Sequence, residues 1–480
     1  MLRFRPVLSA RHPGPLRRPG FPACMALLIL LVLLPARGAA AQDDPFADGP
    51  LQVWLLTMDR GDEVYEMFGH NALLIRDERT GEELAWNWGL FNFEDVDFIP
   101  RFLRGTMRYS MGPAEPEPFL RTYAATNRAV YANRIHLTQA EAAELDAFVR
   151  WNYLPENRPY VYDYYRDNCS TRLRDALDLV LGGQIAARFQ DRPTGRTYRW
   201  FSRELVQVTG WVDQGLSFLL GMRGDVPISE WESMFLPVEL MQYLEGFSVE
   251  EPGGGTRPLL GPRQLVVEAT RDPLPAGPPG PSVGFLLVGL LLGGAMVGLA
   301  VAAAPRASAP GTGRSVAPAA GSEPTAASMG RVPGWPVTGA PRRRLPRILL
   351  GAMVFAWGSF SGLLGLLLVA AWFTDHVFIQ ANLNIFQMSP LALVGALLVP
   401  GFLLMPAGPA RERVGRGAVV VTAVILALAI VAVLLQGVGV LFQRNVDVVF
   451  LALPLNLGMA VAAWRVTGGL STFRRLPAHS

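Results

Sequence analysis

Residues 160–183 read YVYDYYRDNCSTRLRDALDLVLGG, and this stretch decides how the first half of the chain folds. Its opening, residues 160–165, is rich in aromatic side chains that favour extended backbone, which predicts a short strand. Asp167 or Asn168 can then accept hydrogen bonds from the first free N–H groups of a helix. That helix is expected from Cys169 to Leu181, ending where Gly182 and Gly183 can turn into the left-handed region. Cys169 therefore falls in the first helical turn. There, unpaired N–H groups and the positive end of the helix dipole favour a thiolate and can donate to an oxyanion.

Working outward, residues 52–58 read as a strand, and residues 71–77 and 83–88 flank the turn ERTGE as a hairpin. Residues 129–137 read as a further strand. Thr138 and Glu141 form a capping box that opens a helix to about Tyr153. Together these elements predict an α+β domain with a mostly antiparallel sheet over residues 42–271. A Pro/Gly linker, DPLPAGPPGPS, follows at residues 272–282.

Beyond the linker the composition changes. The 480-residue chain is half hydrophobic, with a mean hydropathy of +0.25, which excludes an ordinary soluble protein. Apolar segments at 283–303, 348–373, 391–406, 418–442 and 446–464 predict an all-α bundle of about five transmembrane helices, the third short enough to be re-entrant. Arginines mark three of the connections. Residues 304–347 hold Arg306, Arg314, Arg331 and the run Arg342-Arg343-Arg344; residues 407–417 hold Arg411, Arg413 and Arg416; the tail 465–480 holds Arg465, Arg474 and Arg475. These three are expected to be cytoplasmic, and the Arg-free loop 374–390 outside.

The first residues agree with that orientation. Arg3, Arg5, Arg11, Arg17 and Arg18 precede a short apolar run at 25–34 and the A-x-A site Ala39-Ala40-Ala41, which predicts a signal peptide over 1–41, either cleaved or kept as an anchor. The expected location is a bacterial inner membrane with the 42–271 domain periplasmic. A net charge of only +3 gives no sign of nucleic acid. The chain has no Lys, which excludes a phosphate loop of the G-x-x-x-x-G-K type.

Cys24 would leave with the signal, so Cys169 would be the one cysteine of the mature chain, unable to form an intramolecular disulfide. It is either reactive or packed as a small hydrophobe. A nucleophile needs a base, and the domain offers His70, in Phe68-Gly69-His70-Asn71, and His136, expected to be structural. Asn87 falls opposite His70 or Ala72, depending on register. It either orients the imidazole or satisfies the hairpin backbone. In the outer loop, His376 with Asp375, Asn382 and Asn384 forms either a headgroup- or lipoprotein-binding element or a plain interfacial loop. Arg172, with Arg174 and Asp225, either contacts a lipid phosphate or serves the structure. No metal set and no cofactor are expected.

Several blocks resemble one family. FGHNALLIRD (68–77), AWNWGLFNF (85–93), YDYYRDNCSTRLRDAL (162–177), GMRGDVPISEWESMFLP (221–237) and TDHVFIQANLNIFQMSP (374–390) are similar to the Lnb-type lipoprotein N-acyltransferases. The likeness spans most of the mature chain outside the linker and the loop 304–347, which is longer than in that family. The order of His before Cys, with Asn before Cys, also resembles permuted papain-like (NlpC-type) thiol domains. The resemblance implies a thioester on Cys169, with His70 as base and Asn87 as orienter. A phospholipid would be the acyl donor and the α-amine of a lipoprotein the acceptor, in contact with membrane lipids. A papain-like cysteine hydrolase and a non-catalytic tethered binding domain are the competing readings.

Overall fold

The structure, a computed structural model, describes residues 49–92, 94–304 and 344–469. The expected signal peptide, Cys24, most of the expected cytoplasmic loop and the end of the tail lie outside these residues. Seven strands build one antiparallel sheet: β1 Leu51–Met58, β2 His70–Asp77, β3 Glu82–Leu90, β4 Arg108–Ala114, β5 Val130–Ile135, β6 Pro159–Val161 and β7 Gln264–Val267. Their spatial order is β7-β5-β1-β2-β3-β4-β6. Alternating side chains serve two cores, as the pleat requires. Leu55 and Leu73 pack with Trp86, Leu145 and Leu173, whereas Leu56 and Ala72 pack with Met58, Ala85 and Tyr123. Each fully buried Leu contributes about 1.5–3 kcal/mol.

The domain's main helices are α1 Phe98–Arg104, α2 Pro116–Ala125, α3 Gln139–Asn152, α4 Cys169–Val180, α5 Tyr198–Val206, α6 Gly210–Leu219 and α7 Pro237–Glu245. Thr138 and Glu141 cap α3 reciprocally. The aromatic stretch 160–165 is a strand only as far as Val161. From there the Asp163 carboxylate accepts from the N–H groups of Tyr165 and Arg166 at 2.9 and 3.0 Å, which bends the chain into a turn that β pairing would forbid.

Among the described residues, the second half holds five helices long and apolar enough to cross a membrane. They are α8 Val283–Ala303, α9 Arg344–Ala371, α10 Leu391–Leu404, α11 Pro409–Gly437 and α12 Val446–Thr467. Helix α10 has only 14 residues, but with the preceding turn Asn384–Gln387 it makes a 21-residue apolar stretch. Asn456 bridges the bundle core, accepting from Trp357 Nε1 at 3.0 Å and donating to the Gln387 carbonyl at 3.0 Å.

The bundle is hydrogen-bonded to the sheet domain at one end. Asn382 Nδ2 donates to the carbonyls of Phe218 and Leu219, and Asn384 Nδ2 to that of Phe218, at 2.8–2.9 Å. Gln443 Nε2 reaches the Leu220 carbonyl, and the Arg444 N–H donates to Asp225. Asp225 in turn forms a fully buried pair with Arg199 at 2.9 Å. Phe378 packs against Tyr165 and Tyr198 at ring distances of 4.4 and 5.1 Å. The stretch from Asp375 to Asn384, with Gln443 and Arg444, therefore faces the domain, and Arg411, Arg413, Arg416 and Arg465 lie toward the other end of their helices.

Candidate active site

The site starts from the cap of α4. Asn168, rather than Asp167, is the N-cap: its Oδ1 accepts from the N–H groups of Ser170 and Thr171, both at 2.9 Å. Its Nδ2 donates to the carbonyls of Tyr164 and Phe235 at 2.8 and 2.9 Å. With the Asn168 amide held from both sides, the first residue of the helix, Cys169, has a fixed position. Gly89 on β3 lies against it: a Cβ there would sit 3.7 Å from the Cys169 Cβ, and its φ of +93° is one that L side chains rarely adopt.

His70 opens β2. Ala72 pairs with Asn87 across the β2–β3 hairpin, so His70, two residues earlier on the same face, meets Asn87 diagonally. His70 Nε2 lies 3.2 Å from Asn87 Oδ1. The amide's orientation is fixed because Asn87 Nδ2 donates to the Ala85 carbonyl at 2.9 Å. Oδ1 can only accept, so Nε2 carries the proton and Nδ1 is the basic nitrogen. Gly69, with φ +78°, makes the bend that starts this strand, and a Cβ there would approach the Met58 carbonyl to 2.7 Å.

His70 and Cys169 share a cleft of about 270 Å³ whose other walls include Phe68, Phe91, Tyr109, Tyr162, Tyr164 and Phe235. Both side chains are half-buried. Burial pushes the Cys169 thiol above its ordinary value. The backbone N–H groups of Asn71, Ser170 and Cys169 itself, and the charge of Arg128, pull the other way without overcoming it. Burial likewise lowers His70 to about 4, against its bond to Asn87, and Arg128 adds to the lowering. The free pair is thus uncharged thiol and uncharged imidazole. The helix terminus alone implied a thiolate, but desolvation outweighs the dipole here. Arg128, buried and bound to the Asp59 carbonyl and Glu66, was not evident in the sequence.

The remaining candidates lie elsewhere. Arg172 grips Asp167 with two bonds of 2.6 and 2.8 Å and lies 3.8 Å over the Tyr160 ring, which fixes the turn before Cys169. Arg172 is not among the residues that line the cleft, and of its two readings these bonds favour the structural one. The polar residues of the outer loop are engaged with the domain as well. Asn382 and Asn384 give their amide donors to domain carbonyls, His376 Nε2 sits 2.7 Å from the Phe102 carbonyl, and Asp375 joins α1 through its backbone N–H. None of the four lines the cleft. His136, bound to the Pro258 carbonyl through Nδ1, is structural. Among the described residues no group of three or more His, Cys, Asp or Glu could hold a metal ion. The cleft aromatics come from separate segments, and only the run at 160–165 signalled any of them in the sequence.

A one-cysteine α+β domain with an amide-held imidazole, joined to five membrane-length helices, defines a membrane protein with an extramembrane thiol domain. Residues 48–203 match the family model described as the Lnb N-terminal periplasmic domain. The match ends within α5, so the linker and bundle lie beyond it. By that description the matched segment is similar to a periplasmic domain. No curated protein and no solved structure matches the chain.

Proposed function

We propose that this protein is a thiol acyltransferase of the bacterial inner membrane that moves an acyl chain from a phospholipid, through a thioester on Cys169, to the N-terminal amine of a lipoprotein. One observation carries the reading: the basic nitrogen of His70, held by Asn87, and the thiol of Cys169 share an apolar, aromatic cleft on a domain hydrogen-bonded to membrane-length helices. The His-Asn-before-Cys order fits a permuted papain-like arrangement, and the arginines at the far end of the bundle favour the domain facing outward.

Cys169 Sγ attacks the ester carbonyl carbon while His70 Nδ1 takes the thiol proton, since neither group is ionised beforehand. The backbone N–H groups of Asn71 and Cys169, which act on the thiol, are the donors offered to the developing oxyanion, the Ser170 N–H being held by Asn168. As the C–O bond breaks, the imidazolium returns the proton to the glycerol oxygen and lysophospholipid leaves. The lipoprotein α-amine then attacks the thioester; His70 takes the amine proton and delivers it to the departing sulfur, leaving an amide and the free thiol.

Intact-protein mass spectrometry after incubation with phospholipid and no amine tests this. The parent should gain one acyl chain, removable by neutral hydroxylamine, and Cys169→Ser should gain none while remaining folded and inserted. A hydroxylamine-resistant adduct that persists in Cys169→Ser would overturn the thioester. Release of fatty acid without transfer to a lipoprotein peptide would instead make the protein a hydrolase.

A further inference from the structure

Helix α1 buries none of its side chains. Ile99, Phe102 and Leu103 are 61, 55 and 62% exposed, and Val96 just before the helix is wholly exposed. Such a cluster on one short helix marks an interaction surface, and its location identifies the partner. The Arg104 carbonyl accepts from the Asp375 N–H at 2.7 Å, and the Phe102 carbonyl contacts His376. Those two residues come four and five positions after Ala371, the end of membrane-length helix α9, and Trp372 and Phe373 between them are 57 and 86% exposed. A tether of four residues reaches at most ~14 Å, so α1 lies at headgroup depth beside the end of a span.

A second observation leads inward from α1. Phe98 stands 6.5 Å from Phe91, Phe91 stacks on Tyr109 at 4.9 Å, and Tyr109 stacks on Tyr162 at 4.1 Å. The last three line the cleft with Cys169. We propose that α1 is an interfacial helix whose Ile99, Phe102 and Leu103 dip into the lipid surface, and that this aromatic row is the track by which a lipid acyl chain reaches Cys169. The interfacial placement stands on geometry alone; the track rests on the thioester reading above.

The test uses the full chain with Cys24→Ser and Cys169→Ser, a single Leu103→Cys carrying an environment-sensitive fluorophore, and vesicles of phosphatidylethanolamine and phosphatidylglycerol. The reference is the same label at Leu179→Cys, near the far end of α4. The label at 103 should emit further to the blue than at 179, be quenched by a nitroxide placed shallow in the acyl region, and resist aqueous iodide. Equal quenching by iodide at both positions would overturn the interfacial placement. Protection from both iodide and lipid nitroxide would overturn it too, by showing a protein partner or second copy on α1. For the track, Ile99→Glu with Leu103→Glu should slow acylation of Cys169 by vesicle phospholipid about tenfold or more. The same variant should leave acylation by a soluble short-chain ester within about twofold. Equal loss with both donors would overturn the track. Failure of the parent to be acylated by either donor would remove the thioester reading and the track with it, with the quenching result unaffected.

Discussion

Two polar regions on the same side of the bundle look alike in sequence and differ in the structure. One is the cleft, with His70, Asn87 and Cys169; the other is the loop 374–390, with Asp375, His376, Asn382 and Asn384. In the loop the side-chain donors of Asn382 and Asn384 are engaged by carbonyls of α6, and His376 contacts a carbonyl of α1. In the cleft the supporting amides, Asn87 and Asn168, are also engaged, but the groups they hold keep a basic nitrogen and a thiol facing an apolar hollow. A polar group whose bonds are all made within the protein stiffens it; one held in place with its reactive atom free can do chemistry.

The largest test of that difference is His70→Ala. It should slow thioester formation by about 10²–10⁴-fold, read by acyl-adduct mass spectrometry, and combining it with Cys169→Ser should add nothing further, because the two act as a unit. Near-normal rates in His70→Ala would place the base elsewhere and erase the distinction.

The pH dependence sharpens it. His70 is the base only when neutral, and its value is lowered from 6.5 to about 4. The acylation rate with a soluble ester should stay level through the ordinary imidazole range and fall only toward about 4. Thiolate forms as pH rises through the raised Cys169 value, so the midpoint for alkylation should lie above that of an ordinary thiol, ~8.5. A midpoint below it would mean that the helix terminus, not burial, sets the thiol.

In the loop the expected effects are on docking. Asn384→Ala leaves Asn445 Nδ2 without its acceptor and removes one of the two amide donors to the Phe218 carbonyl. It should cost about 1–3 kcal/mol of stability, read as a lower melting temperature in detergent, while alkylation of Cys169 keeps its rate. His376→Ala, at a partly exposed carbonyl contact, should cost less than about 1 kcal/mol. A larger loss of phospholipid acylation than of stability in His376→Ala would give the loop the substrate role that its sequence first suggested.

Much of this was legible in the chain itself. The hairpin around ERTGE, the capping box at Thr138, the helix that begins at Cys169 and the apolar segments are local matters of turn chemistry, capping and hydropathy, all set within a few residues or along one helix. The chain also nominated Cys169, His70 and Asn87. Tertiary structure decided the rest, because it depends on segments far apart in sequence. Only the strand register makes Ala72 the partner of Asn87 and so aims its carbonyl at His70 Nε2. Only the packing of sheet, α4 and the aromatic walls removes enough water to raise the thiol and lower the imidazole against the pull of the helix dipole. And only the docking of the bundle shows that the outer loop's amides reach carbonyls more than 160 residues away, a contact that no local pattern encodes.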